Sequence, residues 1–421
     1  MDEETETRLR YPGWRIAAAA GVGVFFASMP VNVFAIFLKP LSEEFSWSRQ
    51  TASTAYGAMA LAAAVSAPLL GHLMDRLGAR RIILPCAAVA GCTIASLAAL
   101  TPHLWHVHVV FGLLGITAIG QSPLAQSRVI TSWFDSRRGA ALALMLSGQP
   151  IGVILHAPAA QALIRWIGWR RTYMALGASV LLVGLPIVAR FIYERTVSRV
   201  NGDSANTDSA TGEVADGGTG GAKDGVRMSV AMRSYVFWIL LIVVFGSGIV
   251  ISGAIVHLAA LLTDRGLSAT QAALALSMMG LASLAGRLAT GWMLDRLFAP
   301  RVSCALLAAA AVGAFLLAGA SSFGIGVVAA ALIGFGTGGE LDVTPYLLSR
   351  YFGLRSMSTL YGFSWTALGC SGLVGPVLMG RAFDATGSYD AILMQFGVAT
   401  CLAAALMLLL PRYAAVRERT L

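Results

Sequence analysis

Apolar residues follow one another in long runs along almost the whole chain, and short polar stretches rich in arginine separate the runs. About 20 consecutive apolar residues are enough for a helix to cross the hydrocarbon core of a bilayer. The chain contains twelve such runs, at 14–39, 51–74, 81–101, 105–132, 139–165, 169–193, 234–262, 269–294, 302–321, 323–349, 357–381 and 390–411. This pattern predicts an all-α membrane protein with twelve transmembrane helices.

The distribution of charge orients the helices and argues against nucleic-acid binding. Only 12% of the residues are charged, whereas about a quarter are in soluble domains, and the net charge is +9. Most arginines fall in the loops on the side of the two termini, which predicts that both termini are cytoplasmic. The same charge can contact the anionic headgroups of membrane lipids. We expect a multi-pass protein of the plasma membrane, in a bacterium the inner membrane.

One polar segment divides the spans into two sets of six. The stretch VSRVNGDSANTDSATGEVADGGTGGAKDGVRM has too few large apolar residues to form a core, so it predicts a flexible cytoplasmic linker. The predicted organisation is an N-terminal tail, a six-helix bundle, the linker, a second six-helix bundle and a C-terminal tail, at residues 1–13, 14–193, 194–233, 234–411 and 412–421.

The two halves share short sequences at a nearly constant distance. GHLMDRLGARR begins at Gly71 and GWMLDRLFAPR at Gly291, an offset of 220, while SWFDSRRG from Ser132 matches RYFGLRSM from Arg350 at an offset of 218. Halves of equal span number and similar polarity indicate a parallel duplication about an axis normal to the membrane. A substrate cavity is then expected between the halves.

The first of these repeated sequences, GHLMDRLGARR, is predicted to form a gate at one membrane end. Its glycines permit close helix approach and a turn with positive φ, and its aspartate can pair with arginine or cap a helix. The predicted gate residues are Gly71, Asp75, Arg76, Gly78 and Arg80 in the first half and Gly291, Asp295 and Arg296 in the second.

Through this motif the chain resembles the major facilitator superfamily over essentially its whole length. The resemblance implies two six-helix bundles, a central substrate site and rocker-switch alternating access. Through PGWRI, SWFDSRRGAALAL, GRLATGWMLD and RYFGLRSMSTLYG the chain also resembles the monocarboxylate and oxalate/formate transporters. An arginine in the eighth span binds the carboxylate in that branch, and Arg287 occupies the matching place. Ser283 stands where mammalian monocarboxylate carriers have an acidic residue.

Three charged residues inside the spans are absent from the corresponding places in the other half. Arg287 corresponds to Ala67, and Glu340 and Asp342 correspond to uncharged residues. Because an intramembrane charge costs at least about 2.5–3.5 kcal/mol on insertion, such residues usually serve function. Arg287 is predicted to bind a carboxylate, with a structural ion pair to Glu340 or Asp342 as the alternative. The two acids are candidates for proton coupling or for hydrogen bonds between helices.

Other polar residues are candidates for the cavity wall. Asn32 forms an i, i+4 pair with Ser28, and Gln149 shares a helix face with His156. The predicted substrate-binding residues are Arg287, Asn32, Ser283, Gln149, Tyr346 and Trp365. His257 is a third candidate for proton coupling, because histidine titrates near neutral pH. For each of these residues, hydrogen bonding or packing between helices remains the alternative.

The sequence therefore predicts a secondary transporter that moves a small organic anion, a monocarboxylate, by alternating access with proton symport. One alternative is a proton-coupled antiporter that exports amphipathic compounds, and a second, of a different class, is a membrane sensor that transports nothing. We expect no enzymatic activity, no cofactor and a monomeric functional unit. The five cysteines all lie in predicted spans, where they predict neither a disulfide nor a metal site.

Overall fold

The computed structural model describes residues 11–134, 137–193, 226, 228–294, 296–353 and 357–413. Residues 1–10, 414–421 and nearly all of the predicted linker lie outside this description, as does Asp295 of the predicted gate. The side chains of Asp75 and Asp342 also lie outside it, so the roles predicted for these three residues stay predictions.

The described chain consists of helices joined by short turns. The long helices of the first half are α1 Pro12–Phe45, α2 Arg49–Leu77, α3 Arg80–Ser96, α4 Leu104–Gly120 and α5 Gly148–Ser179, and a shorter α6 Leu185–Phe191 follows a π-helical turn. The second half contains α7 Tyr235–Asp264, α8 Ala269–Leu294, α9 Ala299–Ala318, α10 Phe323–Phe352, α11 Met357–Thr386 and α12 Asp390–Leu408. Three further short helices are Pro123–Thr131, Arg138–Leu146 and Met228–Ala231.

Within the described residues, eleven helical stretches are long and apolar enough to cross a membrane, against the twelve runs in the sequence. The difference arises because the fifth and sixth predicted spans are joined without a loop into the 52 residues of Ala140–Phe191. Gly168, with φ 77° and ψ 163°, breaks the helix inside this stretch. Since one crossing needs about 20 residues, the stretch is long enough for two.

The two halves repeat the same close helix contacts. A Cβ added to Gly115 on α4 would lie 2.1 Å from the Met59 carbonyl oxygen on α2, and one added to Gly334 on α10 would lie 2.1 Å from the Met279 oxygen on α8. Because the partners are 219 and 220 residues apart, this is one contact made twice. Small residues let helix backbones approach closely in membranes, and here they do so at equivalent positions.

Among the described residues, three pairs of long helices make the main contacts between the halves. α1 packs against α7, α2 against α11, and α5 against α8. We name the two membrane ends by their turns: the motif end contains Gly78 and Arg296, and the far end contains Ser46 and Gly387. The halves pack together from the far end to the middle of the bundle, where Gly369 of α11 lies against Ala60 and Ala64 of α2.

Candidate functional site

Arg287 lies on a face of α8 that is turned toward the other half. Two turns earlier on α8, Gly280 packs against Val153 of α5, at 2.5 Å from an added Cβ to the Val153 Cγ1, and the Ser277 hydroxyl donates to the Ile154 carbonyl at 2.7 Å. Residues seven apart lie on one helix face. Arg287 therefore continues the α5-facing stripe toward the motif end, and its side chain is partly exposed.

Gln149 continues the matching stripe on α5. It lies one turn from Val153, on the side of the motif end, and it is also partly exposed. The helices α5 and α8 run in opposite directions along this seam. Gln149 and Arg287 therefore both lie on the motif-end side of the contact between Gly280 and Val153, each on the helix face that is turned toward the other helix. The cavity role of both residues stays a prediction.

Trp365 holds a similar position on the second seam. On α11 it lies four residues before Gly369 and seven before Gly372, the residues that pack against α2. Its side chain is 54% exposed, and its ring lies 6.1 Å from that of Tyr361. Trp365 therefore continues the α2-facing stripe of α11 toward the motif end, and its side chain is more exposed than the glycines that pack against α2.

Asn32 connects two helices of the first half. Its Nδ2 donates to the Ser28 hydroxyl at 3.2 Å, so the i, i+4 pair expected from the sequence is confirmed as a hydrogen bond. The same Nδ2 lies 3.2 Å from Nδ1 of His156 on α5, a residue that is only 3% exposed and whose ring packs on Phe25. Asn32 itself stays partly exposed.

Ser283 and Tyr346 occupy different surroundings. Ser283 lies where α8 meets α10, and its carbonyl oxygen would be 2.1 Å from a Cβ added to Gly338. Tyr346 is partly buried near the motif end of α10, with the Arg350 guanidinium 5.8 Å from its ring centroid. The structure thus places Ser283 one turn before Arg287 on the same helix, whereas Tyr346 lies nearer the membrane boundary.

Glu340 is buried among the helices of the second half. The residue is 4% exposed, and its Oε2 accepts a hydrogen bond of 2.8 Å from the Ser303 hydroxyl on α9. A small cavity beside it is lined by Ser247, Thr337 and Thr400. In the described part of the chain, Oε1 has no hydrogen-bond partner. Glu340 therefore points toward α9, away from the α5-facing stripe that carries Arg287.

His257 lies at the far end, within a polar cluster that joins the halves. It is fully buried: its Nε2 lies 2.9 Å from both the Ser53 hydroxyl on α2 and the Pro376 carbonyl on α11, and its Nδ1 lies 3.1 Å from the Tyr389 hydroxyl. Burial raises the pKa of the Tyr389 hydroxyl, so this group stays protonated at neutral pH. The structure does not bring His257 together with Arg287.

Arg49 is the centre of this far-end cluster. Its Nη2 binds both carboxylate oxygens of Asp264, at 3.0 and 3.1 Å, and its Nη1 donates to Tyr389 at 3.2 Å. Lys39 of α1 also binds Asp264, at 3.0 Å. Arg49 and Lys39 belong to the first half and Asp264 to the second, so this ion pair closes the far end.

A second contact at the far end uses backbone atoms. The two oxygens of Asp384 on α11 accept hydrogen bonds of 2.8 Å from the backbone N–H groups of Arg49 and Gln50, which begin α2. The first N–H groups of a helix have no partner within the helix and favour a negative charge. Asp384 thus caps a helix of the opposite half. Sequence reasoning missed Arg49, Asp264 and Asp384, although Lys39 and Arg49 are among the few cations on that side.

The motif end has a different character. Gly78 ends α2 with φ 84°, which confirms the predicted turn with positive φ. Arg80 donates to the Ile192 carbonyl and, at 2.7 Å, to the Ala189 carbonyl, so it ties α3 to the end of α6 within one half. Arg76 is exposed, and the exposed Arg296, in the turn after α8, lies over the ring of Trp292 on that helix, at 4.4 Å.

Among the described residues, no helix makes the close approach expected at Gly71. No described atom lies within 4 Å of a Cβ added to Gly71 or to its counterpart Gly291. Among the described residues, Gly71 and Gly291 thus have no close neighbour at the motif end, while ion pairs join the halves at the far end.

Comparisons with known proteins agree with this architecture. The sequence profile of the Major Facilitator Superfamily matches residues 20–376. Monocarboxylate transporter 11 of Homo sapiens is 27% identical over 406 residues, 91% of this chain and 80% of that protein. Monocarboxylate transporter 1 of Rattus norvegicus is 24% identical over 415 residues, 92% and 82%. The uncharacterized MFS-type transporter YhjX of Escherichia coli (strain K12) is 24% identical over 348 residues, 82% of each chain.

Proposed function

The chain belongs to the Major Facilitator Superfamily of membrane transporters, and we propose that it moves a small organic anion, a monocarboxylate, by alternating access with proton symport. In this proposal the halves are two six-helix bundles with both termini in the cytoplasm, and the membrane is the inner membrane of a bacterium. The helix contacts repeated at Met59 and Met279 support two equivalent bundles. The protein acts as a carrier without catalysis.

The position of Arg287 carries the proposal. A guanidinium group can bind a carboxylate through two parallel hydrogen bonds. It lies on the α8 face turned toward α5, beyond the last close contact at Gly280 and Val153. In this proposal Gln149, on the α5 stripe that faces α8, supplies a hydrogen-bonding wall, and Trp365, on the α11 stripe that faces α2, supplies an aromatic one. The names of the relatives, two of them monocarboxylate transporters, support a carboxylate substrate.

The conformation supports alternating access. The far end is closed by Arg49 and Asp264 from opposite halves, whereas Gly71 and Gly291 at the motif end have no described neighbour within 4 Å of an added Cβ. With the motif end in the cytoplasm, as its arginine-rich loops favour, this is the inward-open state. Transport then requires the far-end cluster to separate and the gate glycines to meet their partner helices.

Glu340 is the proposed proton carrier. Among the described residues its one hydrogen-bond donor is the Ser303 hydroxyl, and a charge on a buried carboxyl group is costly unless it is paired. Asp342 is the alternative carrier. His257 fits the far-end closure better than a proton path to Arg287, because its neighbours are Ser53, Pro376 and Tyr389.

The test is uptake of a panel of labelled mono- and dicarboxylates into proteoliposomes, with and without an inward proton gradient. Wild type is expected to accumulate at least one monocarboxylate. Arg287→Ala should raise the KM by about 30-fold or more, the equivalent of about 2 kcal/mol for a lost hydrogen-bonded charge. Arg287→Lys should retain part of the activity, since it keeps the charge without the two-pronged geometry.

Arg171→Ala is the matched control, because it removes an exposed arginine at the far end. Its KM should equal that of wild type. Carboxylate uptake that is absent in wild type, or unchanged in Arg287→Ala, contradicts the proposal. Proton-driven efflux of amphipathic cations would instead favour the exporter, and ligand binding without flux would favour the sensor.

A further inference from the structure

A second cavity lies at the motif end, between the start of α9 and the end of α12. Its volume is about 510 Å³, within the range of roughly 300–1,000 Å³ typical of ligand pockets. Arg301 and Arg412 line it together with Met407, Leu408, Leu410 and Tyr413. Arg301 is the last residue of the repeated sequence GWMLDRLFAPR, but it is not one of the predicted gate residues. None of the residues named here belongs to the α5/α8 seam or to the far-end cluster.

Aromatic stacking and hydrogen bonds fix one wall of this cavity. The Tyr413 hydroxyl accepts a hydrogen bond of 3.3 Å from the backbone N–H of Ala299, and its ring packs edge-on against Tyr351 with centroids 5.0 Å apart. The Tyr351 hydroxyl in turn donates to the Pro411 carbonyl at 2.7 Å. The segment after α12 is therefore held in place against α9, so the cavity is a built feature of the fold.

The electrostatics of the cavity favour an anion. Arg301 and Arg412 both expose their side chains at its edge, and the Arg350 guanidinium lies 5.0 Å from the Tyr413 ring centroid. No carboxylate is present among the described residues that line it. Three guanidinium groups at the end of membrane-spanning helices lie at the level of lipid headgroups.

The other side of the cavity is apolar and exposed. Leu408 and Leu409 end α12 with side chains 59% and 65% exposed, and Leu408 also lines the cavity. An occupant can therefore place a charged group between Arg301 and Arg412 and an apolar chain along α12. A free phosphate ion would use only the arginine side.

We propose that this cavity binds an anionic phospholipid, with the phosphate of the headgroup between Arg301 and Arg412 and one acyl chain along Leu408 and Leu409. The lipid would connect the start of α9 with the residues that follow α12. This site is independent of substrate transport through the seam at Arg287, so it stands or falls separately from the proposed function.

The experiment is native mass spectrometry of the full-length, detergent-solubilised protein titrated with phosphatidylglycerol or phosphatidylcholine. Wild type is expected to retain one phosphatidylglycerol more tightly than phosphatidylcholine. Arg301→Gln/Arg412→Gln should weaken phosphatidylglycerol binding by about 30-fold, as expected for the loss of two basic residues near a lipid surface. Excess inorganic phosphate should not displace the bound lipid.

Arg81→Gln/Arg190→Gln is the matched control, because it removes two exposed arginines from the same membrane end and leaves the net charge equal to that of the test variant. It should bind phosphatidylglycerol as wild type does. Arg301→Lys/Arg412→Lys, which keeps the charges, should retain most of the binding. Equal lipid binding by wild type and the Gln pair, equal loss in the control, or displacement of the lipid by phosphate would overturn the proposal.

Discussion

Arg49 at the start of α2 binds both carboxylate oxygens of Asp264 at the end of α7, at 3.0 and 3.1 Å. The two residues belong to opposite halves of the protein and are separated by 215 positions. Their side chains are only 10% and 21% exposed. Water therefore screens the pair little, and the pair favours the conformation in which the far end is closed.

Loss of this ion pair should open the far end. Arg49→Ala leaves Asp264 with Lys39 alone, and removing one partner of a partly buried pair is strongly unfavourable for the closed form. We expect the closed-to-open ratio to fall by at least about tenfold, or about 1.4 kcal/mol. The measurement is the rate at which a membrane-impermeant maleimide labels Ser53→Cys, a buried position on α2, in a background without the five native cysteines.

Arg265→Ala is the control for this experiment, because Arg265 pairs with Asp390 at the same membrane end but within one half. It should leave the labelling rate of Ser53→Cys unchanged. Arg49→Asp combined with Asp264→Arg should restore slow labelling. Fast labelling in the control, or slow labelling in Arg49→Ala, would show that the ion pair does not hold the far end closed.

Asp384→Ala should weaken the same closure by a separate contact. It removes the acceptor for two backbone N–H groups of α2, and loss of a helix cap costs about 0.5–2 kcal/mol. Ser48→Ala is matched to it, since the Ser48 hydroxyl caps the N–H of Thr51 on the same helix but from the same half. Both variants should lower the thermal midpoint, and only Asp384→Ala should speed labelling of Ser53→Cys.

Gly338→Ala should disturb the α8 segment that carries Arg287. The added Cβ would lie 2.1 Å from the Ser283 carbonyl oxygen, so α8 and α10 must separate, at a cost of about 1–3 kcal/mol. We expect a lower thermal midpoint and weaker carboxylate uptake. Gly246→Ala is the control, because no described atom lies within 4 Å of its added Cβ and alanine favours the helix. An unchanged midpoint for Gly338→Ala would contradict the observed packing.

Glu340→Gln should uncouple transport from the proton gradient. Glutamine keeps the size and can still interact with Ser303 but cannot exchange a proton, so uptake should proceed at a rate independent of the gradient. The measurement is carboxylate uptake with and without a pH difference across the liposome membrane. Asp342→Asn is the parallel variant: gradient-independent uptake in that variant alone would assign coupling to Asp342 and exclude Glu340.

The helices could be predicted because each spans the membrane with its own apolar residues, and this signal is local. The turn at Gly78 was equally accessible, since glycine at a helix end permits positive φ. Contacts between distant segments were not accessible. Nothing near Arg49 in the sequence points to Asp264, because their meeting depends on how α2 and α7 are placed by packing.

Helix rotation explains the remaining differences. Glu340 and Arg287 are both intramembrane charges in the second half, and the sequence grouped them by this property. Gly336 packs closely against Leu306 and Ala310 of α9, and Glu340 accepts its hydrogen bond from Ser303 of the same helix. Such close contacts depend on the shapes of both helices. The amphipathic pattern of one helix does not predict its rotation when the helix is apolar on all sides.

The contact between Asp384 and α2 joins a side chain to backbone groups. Its acceptor is a side chain, so substitution of one residue abolishes it, whereas its donors at positions 49 and 50 are backbone N–H groups that every amino acid except proline provides. Position 50 can thus change from glutamine to nearly any residue while the contact persists. Mutational scanning would therefore detect this contact at position 384 of α11 and show no sensitivity to it at positions 49 and 50 of α2.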